Sequence, residues 1–425
     1  MNRPTRTRIA IVATLVMCAA ALTPAPLALA KDPSVSGVIA VDGTGVAVSA
    51  DGAYLYAASW DPDGVRIISA QDQQILELVT FQAFSPLTNM APFALAPSPD
   101  GTRLFASIPF NGSVGVIDLV SREAVQVIPV GANPRDLAMS PDGSRLYVAH
   151  QGTDGTLVSV IDTRTTEVTA TIGRGSLMPE EGPHGLAVTP DGRRLYVTRS
   201  GYGRSGGVLV IDTATNEAIT TIAPPSAWEE PGGWQPVDIA FNSTGTRAYV
   251  AAGGPKHSLA IVDTATNSIV GSRKADSLGL DIVVSSSVGN VVYAAAHQGY
   301  PLFWTSTTSR TTRQSVSISG GRHEDMAVSP DGRRLYVIGD LGLTVMDAGL
   351  RSVTFRSNGG RGTMPTQIAN LPASLEANAF VRRGYTFKGW NTRANGTGVS
   401  YRDRATVSFA GNLVLHAQWR KTAQP

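Results

Sequence analysis

The chain has 425 residues, of which 16% are charged and 44 are glycine, and its formal net charge is +2. This length exceeds what one hydrophobic core usually supports, so we expect more than one folded unit. Few charges and many glycines favour short strands and tight turns over long charged helices. The sole cysteine is Cys18. Disulfides, cysteine-bound zinc, c-type haem and cysteine nucleophiles are therefore excluded from the chain after residue 30.

The first 30 residues have the pattern of a secretory signal peptide. Three arginines precede an apolar run over residues 9–22, and Ala28–Ala30 fits a cleavage site just before Lys31. The run is shorter than the roughly 20 residues of a membrane span, which disfavours an uncleaved anchor. Lipidation at Cys18 is disfavoured because Met17 stands where a small residue is needed. The sequence predicts a secreted or cell-wall-associated protein with no transmembrane segment after cleavage.

A unit of four strand-like runs recurs along the next 300 or so residues. The clearest copies begin at residues 133 and 183, and each has an apolar run, the turn Pro-Asp-Gly, the run Leu-Tyr-Val and a run ending in Val-Ile-Asp-Thr. A threonine-rich run over 166–172 completes the first of them. The residue before the turn glycine recurs at Asp51, Asp100, Asp142, Asp191, Thr244, Val288 and Asp331. Repeats of about 40–50 residues with four strands are typical of β-propeller blades. A single blade cannot bury both of its faces, so seven blades must stack and close into a ring.

The two ends of the repeat region predict how the ring closes. The last unit supplies only three strands and ends near Asp347. A strand-like segment over 35–41 precedes the first unit and has no other partner. We therefore expect the N-terminal strand to complete the last blade.

The motif P-D-G-x-R-L-Y-V followed by V-x-V-I-D-T resembles the YVTN-type β-propeller repeats of exported bacterial and archaeal surface proteins. The YncE-like seven-bladed family is the nearest match. The resemblance covers residues 35–349 and is weakest in the sixth unit, where 287–290 replaces Pro-Asp-Gly. It implies an all-β, seven-bladed propeller with four-stranded blades over residues 31–350. The family is also described as lactonase-like, which at this distance is a likeness of fold alone.

A second unit follows Gly349. Its sequence contains V-T-F-x-x-N-G-G from Val353, G-Y-x-F-x-G-W from Gly384 and A-x-W from Ala417. These motifs resemble the Listeria–Bacteroides repeat, also called the internalin B-repeat, over residues 351–420, which leaves 421–425 as a tail. The resemblance implies a small β-grasp-like domain found on bacterial surface proteins. Its aromatic residues alternate along short strands, and Trp390 and Trp419 are predicted to lie in its core.

The two units differ sharply in charge. Residues 351–425 carry a net charge of +9, whereas residues 31–350 carry −10. Such asymmetry points to a charged partner. The alternative is that the acidic propeller and the basic domain dock on each other.

Strand order predicts which loops share a rim of the propeller. The Pro-Asp-Gly turns lie on one rim, and the long connections lie on the other, together with all five propeller histidines. Aspartate stands just before the inner strand in four units, and these residues would ring the mouth of the axial channel. The ring consists of Asp136, Asp238, Asp281 and Asp325. Beside it lie the further candidates Arg135, His184, His323 and Glu324, with Trp228 and Trp234 in one long loop.

This rim has two interpretations that the sequence leaves open. The carboxylates suit hard cations and the histidines suit transition metals, so a ligand or divalent metal could bind at the channel mouth. The aspartates could instead accept hydrogen bonds from the backbone of the neighbouring blade. The histidines are spread around the ring and cannot all hold one ion. Trp228 and Trp234 could form a platform for a glycan or peptide, or they could hold their long loop in place by packing against the propeller.

Catalytic motifs are absent from the sequence. There is no G-x-S-x-G, H-E-x-x-H or phosphate-binding loop, so no catalytic residue and no cofactor is predicted. The favoured hypothesis is a monomeric binding or adhesion protein, whose propeller is an interaction scaffold. Its basic domain would contact a cell-envelope polymer or a surface protein, not nucleic acid. The alternative is a lactonase-like hydrolase with a metal at the channel mouth.

Overall fold

A computed structural model describes most of the chain. The residues described are 33–85, 89–151, 155–173, 183–200, 206–225, 234–253, 259–273, 280, 282–286, 291–295, 302–306, 312–314, 322–369, 373–409 and 411–422. Over these residues the protein is all-β apart from one 3-10 turn at Pro109–Asn111. None of their helical segments is long and apolar enough to cross a membrane. The predicted signal peptide lies outside the described residues.

Seven four-stranded antiparallel sheets, counted over the described residues, form the blades of the predicted propeller. Six of them take four consecutive strands each. Blade 1 has β2 (Gly43–Val48), β3 (Tyr54–Trp60), β4 (Asp63–Ser69) and β5 (Ile75–Val79). Blade 2 has β6 (Leu95–Pro97), β7 (Arg103–Ile108), β8 (Ser113–Asp118) and β9 (Glu123–Pro129). Blade 3 has β10 (Pro134–Met139), β11 (Arg145–His150), β12 (Thr156–Asp162) and β13 (Glu167–Gly173). Blade 4 has β14 (Pro183–Val188), β15 (Arg194–Arg199), β16 (Gly207–Asp212) and β17 (Ala218–Ile222). Blade 5 has β18 (Gln235–Phe241), β19 (Arg247–Gly253), β20 (Leu259–Asp263) and β21 (Ser268–Arg273). Blade 6 has β22 (Ile282–Ser285), β23 (Val291–Ala295), β24 (Phe303–Ser306) and β25 (Thr312–Gln314).

The seventh blade closes the ring with strands from both ends of the repeat region. It contains β26 (His323–Val328), β27 (Arg334–Gly339) and β28 (Gly342–Asp347), and its outer strand is β1 (Ser34–Ile39). β1 pairs antiparallel with β28, and the hydroxyl of Ser36 donates a hydrogen bond to the carbonyl of Val345 (3.0 Å). The prediction that an N-terminal strand completes the last blade is confirmed.

The alternating direction of side chains along the second strand of each blade explains how the blades pack. Successive residues of a strand point to opposite faces of its sheet. Leu146 packs between blades 2 and 3, whereas its neighbour Tyr147 packs between blades 3 and 4. Each of the seven propeller core clusters joins residues of two consecutive blades. The Leu-Tyr pair of blades 1, 3, 4 and 7 therefore connects each of these blades to both of its neighbours, and Leu104-Phe105, Ala248-Tyr249 and Val292-Tyr293 do so in the other three.

The turns between inner and second strands behave as the sequence predicts. In the third blade, Asp142 Oδ1 accepts hydrogen bonds from the Ser140 hydroxyl (2.6 Å) and from the Ser144 backbone N–H (3.0 Å). Gly143 follows with φ of 72°, a conformation that a residue with a Cβ rarely adopts. Similar φ values occur at Gly52, Gly101, Gly192, Gly245 and Gly332. The sixth turn, over 287–290, lies outside the described residues.

The C-terminal domain contains a mixed five-stranded sheet and a two-stranded sheet. Its strands are β29 (Arg351–Arg356), β30 (Gln367–Ala369), β31 (Ala373–Ser374), β32 (Tyr385–Asn391), β33 (Ser400–Tyr401), β34 (Thr406–Val407) and β35 (Leu413–Lys421). The large sheet has the order β30-β29-β35-β32-β33, in which β29 and β35 are parallel. Its assignment to the β-grasp class stays a prediction.

Trp390 is the centre of the C-terminal core. Its side chain is fully buried, and its ring lies 4.8 Å from the ring of Phe355 and 4.9 Å from that of Phe387. Trp419 packs on the edge of this cluster and donates its indole N–H to the carbonyl of Ser357 (2.9 Å). Trp390 is a core residue, as predicted, whereas Trp419 is partly buried at the edge of the same core.

Three residues connect the two domains. Ala348 and Leu350 are buried in the core cluster between blades 6 and 7, and Ile368 of the C-terminal domain packs against the same cluster. The hydroxyl of Tyr293 also donates to the carbonyl of Ala348 (3.0 Å). Because β28 ends at the rim of the Pro-Asp-Gly turns, the C-terminal domain sits on that rim, opposite the predicted channel-mouth site.

Candidate functional site

The described aspartates of the ring lie inside their inner strands, at β-bulges. The strand register shifts between Pro134 and Leu137, between Pro236 and Asp238, and between His323 and Asp325. The sequence places these aspartates just before the strand, but the bulge lets pairing continue past them.

Each of these aspartates links its own blade to the next one. Asp325 Oδ2 accepts a hydrogen bond from the backbone N–H of Val46 in blade 1 (2.9 Å), and Oδ1 accepts from Met326 (2.7 Å). Asp136 accepts in the same way from Leu186 in blade 4 (2.8 Å), and Asp238 from Val283 in blade 6 (2.8 Å). Both oxygens of each carboxylate thus accept from backbone. These contacts favour the structural interpretation of the ring, and Asp281 lies outside the described residues.

Burial raises the pKa of all three carboxyl groups. They border the axial channel and are otherwise enclosed by protein, so desolvation raises the pKa of Asp325 to about 7 and that of Asp136 to about 6. The pKa of Asp238 is raised well above its usual value by burial, and also by the negative charges of Asp136 and Asp325. Backbone donors oppose these shifts without reversing them. Three interacting carboxyl groups with raised pKa values therefore lie at the channel mouth.

Other side chains link the blade junctions where aspartate is missing. Thr44 donates to the carbonyl of Phe93 (3.0 Å), Ser107 to that of Arg135 (2.6 Å) and Thr198 to that of Val237 (2.7 Å). Gly185 takes the aspartate position in blade 4, where a Cβ would come within 2.8 Å of the Val237 carbonyl oxygen. Close backbone approach at this junction thus replaces the carboxylate link.

The charged neighbours of the ring have partners of their own. The Arg135 guanidinium lies 4.5 Å from the ring of Phe93, in a cation–π contact. Burial lowers the pKa of Arg135, and the charge of Glu324 opposes this shift. His184 Nδ1 is 3.4 Å from the side-chain nitrogen of Gln151, and His323 is buried in β26.

Of the remaining histidines and tryptophans of this rim, some lie in the propeller core and the others lie in segments that the structure does not describe. His150 is buried, with Nε2 2.9 Å from the hydroxyl of Ser159. Trp234 is 5% exposed and packs in the core between blades 4 and 5, so it does not form an open platform. Trp228, His257 and His297 lie outside the described residues. Over the part of the chain that is described, no three His, Asp or Glu side chains are grouped to hold a metal ion.

The C-terminal domain presents a strongly basic surface. Nine of its eleven basic side chains are exposed. We call them the basic surface: Arg356, Arg361, Arg383, Lys388, Arg393, Arg402, Arg404, Arg420 and Lys421. Within the described residues, the ion pair between this domain and the propeller is Arg351 with Asp347 (3.5 Å), at the connection itself. Most of the positive charge therefore faces solvent.

Comparison with known proteins defines the class: a β-propeller followed by a Listeria–Bacteroides repeat. The model of the Listeria-Bacteroides repeat domain family matches residues 352–418. A curated relative, the seven-bladed beta-propeller protein Rv1057 of Mycobacterium tuberculosis, is 29% identical over 124 residues. That match covers 28% of this chain and 30% of the relative.

Solved structures show the same fold. Hydrazine synthase of Kuenenia stuttgartiensis superposes with a TM-score of 0.62 at 20% identity, over 74% of this chain and 98% of that one. The β-propeller domain of Cps50 (Swd1) from Myceliophteria thermophila gives 0.59 at 14% identity, over 74% and 99%. At such identities the likeness concerns the fold alone. The YncE-like assignment stays a prediction.

Proposed function

We propose that this protein is an exported, surface-associated binding protein. The propeller would act as the interaction scaffold, and the C-terminal domain would hold an anionic polymer of the cell envelope. The observation that supports this most directly is the basic surface. Its nine charges face solvent, and the domain contains only two acidic residues, Glu376 and Asp403. The signal-like first 30 residues support export.

Electrostatics decide what such a surface can bind. Exposed charges attract a polyanion over about one Debye length, which is about 10 Å at 0.1 M salt and shorter at higher salt. Binding should therefore weaken steeply with salt and be indifferent to neutral polymers. A polymer of phosphodiesters or carboxylates offers the repeated charges that nine dispersed bases can contact together.

The test compares two charge-matched double variants. Arg402→Glu with Arg420→Glu changes the basic surface, whereas Arg164→Glu with Arg193→Glu changes two exposed propeller arginines by the same total charge. At 50 mM salt, the first variant should bind polyglycerol phosphate at least about tenfold more weakly than wild type, since each base near an anionic surface contributes about 1 kcal/mol. The second should bind as wild type does.

The readout is retention of the mature chain on immobilised polyglycerol phosphate, with neutral dextran as the control matrix. Equal losses in both variants would mean that overall charge, and not this surface, attracts the polymer. Salt-insensitive binding, or none at 50 mM salt, would contradict the proposed role of the C-terminal domain.

A further inference from the structure

A second set of links between blades, on the rim of the Pro-Asp-Gly turns, uses arginine. The arginine that begins the second strand donates to a backbone carbonyl at the end of the third strand of the next blade. Arg103 Nη1 donates to Thr163 (2.6 Å) and Arg194 Nη1 to Thr264 (2.9 Å). Arg145 makes the same contact with Thr213. The only sequence signal for these links is the repeated arginine of the P-D-G-x-R motif.

This link is not made where the ring closes. Arg334 holds the arginine position in blade 7, and Ala70 holds the position of the accepting carbonyl in blade 1. Within the described residues no hydrogen bond joins them, and the Arg334 guanidinium has no hydrogen-bond partner there. Both residues instead line an open cleft of about 1100 Å³. This volume is at the upper end of the size range of ligand pockets.

Three walls form this cleft. Blade 1 contributes the turn at Asp51 and the hairpin at Asp72, blade 7 contributes the turn at Asp331, and the C-terminal domain contributes Ser352 and Asn412. The cleft is therefore open at the one place where the propeller meets its second domain.

The acidic side chains of the cleft already have local partners. Asp51 accepts from the Ser49 hydroxyl (2.6 Å), Asp331 from the Ser329 hydroxyl (2.6 Å) and Asp72 from the Gln74 N–H (3.4 Å). Asp347 accepts from Gly349 (2.8 Å) and pairs with Arg351. Arg333 and Arg334 both line the cleft; Arg333 Nε lies 4.0 Å from Asp331 Oδ2, and the charge of Arg334 also acts on Asp331. Arg334 holds the position that donates across the other junctions, and guanidinium groups bind oxygen acceptors strongly and directionally.

We propose that the cleft binds a peptide segment of a partner protein that has the form of a strand end and its turn, with a backbone carbonyl of that peptide at Arg334. The chemistry of the site follows from the other junctions, where an equivalent guanidinium donates to the main-chain carbonyl of the first turn residue after a strand. The Ala70 carbonyl supplies an acceptor for a peptide N–H across the cleft. This site uses none of the basic surface, so the peptide proposal is tested independently of polymer binding.

The chain itself supplies a probe. An acetylated, amidated peptide of residues 158–166 contains Thr163, whose backbone carbonyl accepts the hydrogen bond from Arg103. Fluorescence anisotropy with the labelled peptide should show saturable binding to the mature wild-type chain. Arg334→Gln should weaken that binding about tenfold or more, because a charge-assisted hydrogen bond is lost.

The matched control is Arg194→Gln, whose guanidinium already has its partner. It should lower Tm by ~2–4 °C through loss of that hydrogen bond and leave peptide affinity unchanged. Arg334→Gln should do the reverse, with unchanged Tm and lost affinity.

Two results would overturn the proposal. In one, Arg334→Gln lowers Tm as much as Arg194→Gln does, which would mean that Arg334 is already bonded within the protein. In the other, neither this peptide nor any member of a random heptapeptide phage library binds wild type in preference to Arg334→Gln. Library peptides that prefer wild type would support the proposal even if the 158–166 peptide failed.

Discussion

Replacing Asp325 by alanine is expected to lower the free energy of unfolding by about 2–4 kcal/mol at pH 7. The carboxylate accepts hydrogen bonds from Val46 and Met326, and it links blade 7 to blade 1 across the closure of the ring. Alanine leaves both N–H groups without their acceptor in a crowded part of the channel wall, and each such loss typically costs 1–3 kcal/mol. Urea unfolding followed by tryptophan fluorescence measures the change.

Asp331→Ala is the control for this substitution. Asp331 lies in the same blade and also accepts hydrogen bonds, from Ser329 and Arg333, but it is exposed in a turn where water can replace it. We expect a loss below about 1 kcal/mol. Equal losses for the two substitutions would show that the channel-mouth carboxylate does not secure the ring.

Stability should also fall as pH rises from about 4 to 8, because of the same carboxyl groups. Burial raises the pKa of Asp325 to about 7 and of Asp136 to about 6 in the folded protein, whereas both lie near 3.8 when unfolded. The folded state therefore holds protons that the unfolded state releases. This contribution is complete below the unfolded pKa and is lost as pH passes the folded pKa values.

The double variant Asp136→Asn with Asp325→Asn isolates this effect. Wild type should gain about 3 kcal/mol relative to the variant between pH 8 and pH 5, since one pKa unit corresponds to 1.36 kcal/mol and the channel screens part of the shift. Denaturant midpoints at several pH values measure it. A constant difference across this range, or one of opposite sign, would show that the carboxylates stay ionised.

The fold is largely predictable from the sequence because each blade repeats the same local signals. Turn glycines, the alternation of Leu and Tyr, and the three-strand last unit together require stacked blades closed by an N-terminal strand. The second domain is equally clear from its motifs. These signals are local or periodic, so they can be recognised in a single amino-acid sequence.

The functional surfaces are predictable only in part. The aspartates recur at one position in the repeat, so their common rim can be predicted, but their hydrogen bonds depend on the backbone of the next blade. The burial of Trp234 depends on how its loop packs against blades 4 and 5. The cleft at Arg334 lies at a junction where a link found at three others is missing. The sequence shows Ser69-Ala70 there in place of Asp-Thr, but not that the arginine lacks its acceptor.

The short buried connection between the domains determines how mechanical load would enter the propeller. A pull on the C-terminal domain reaches β28 through residues 348–350, with no slack linker between. β28 is an interior strand of blade 7, paired with β27 on one side and β1 on the other. A force along it must shear both ladders of hydrogen bonds together instead of peeling off an edge strand. The blade that closes the ring is thus also the blade best placed to anchor the protein under tension.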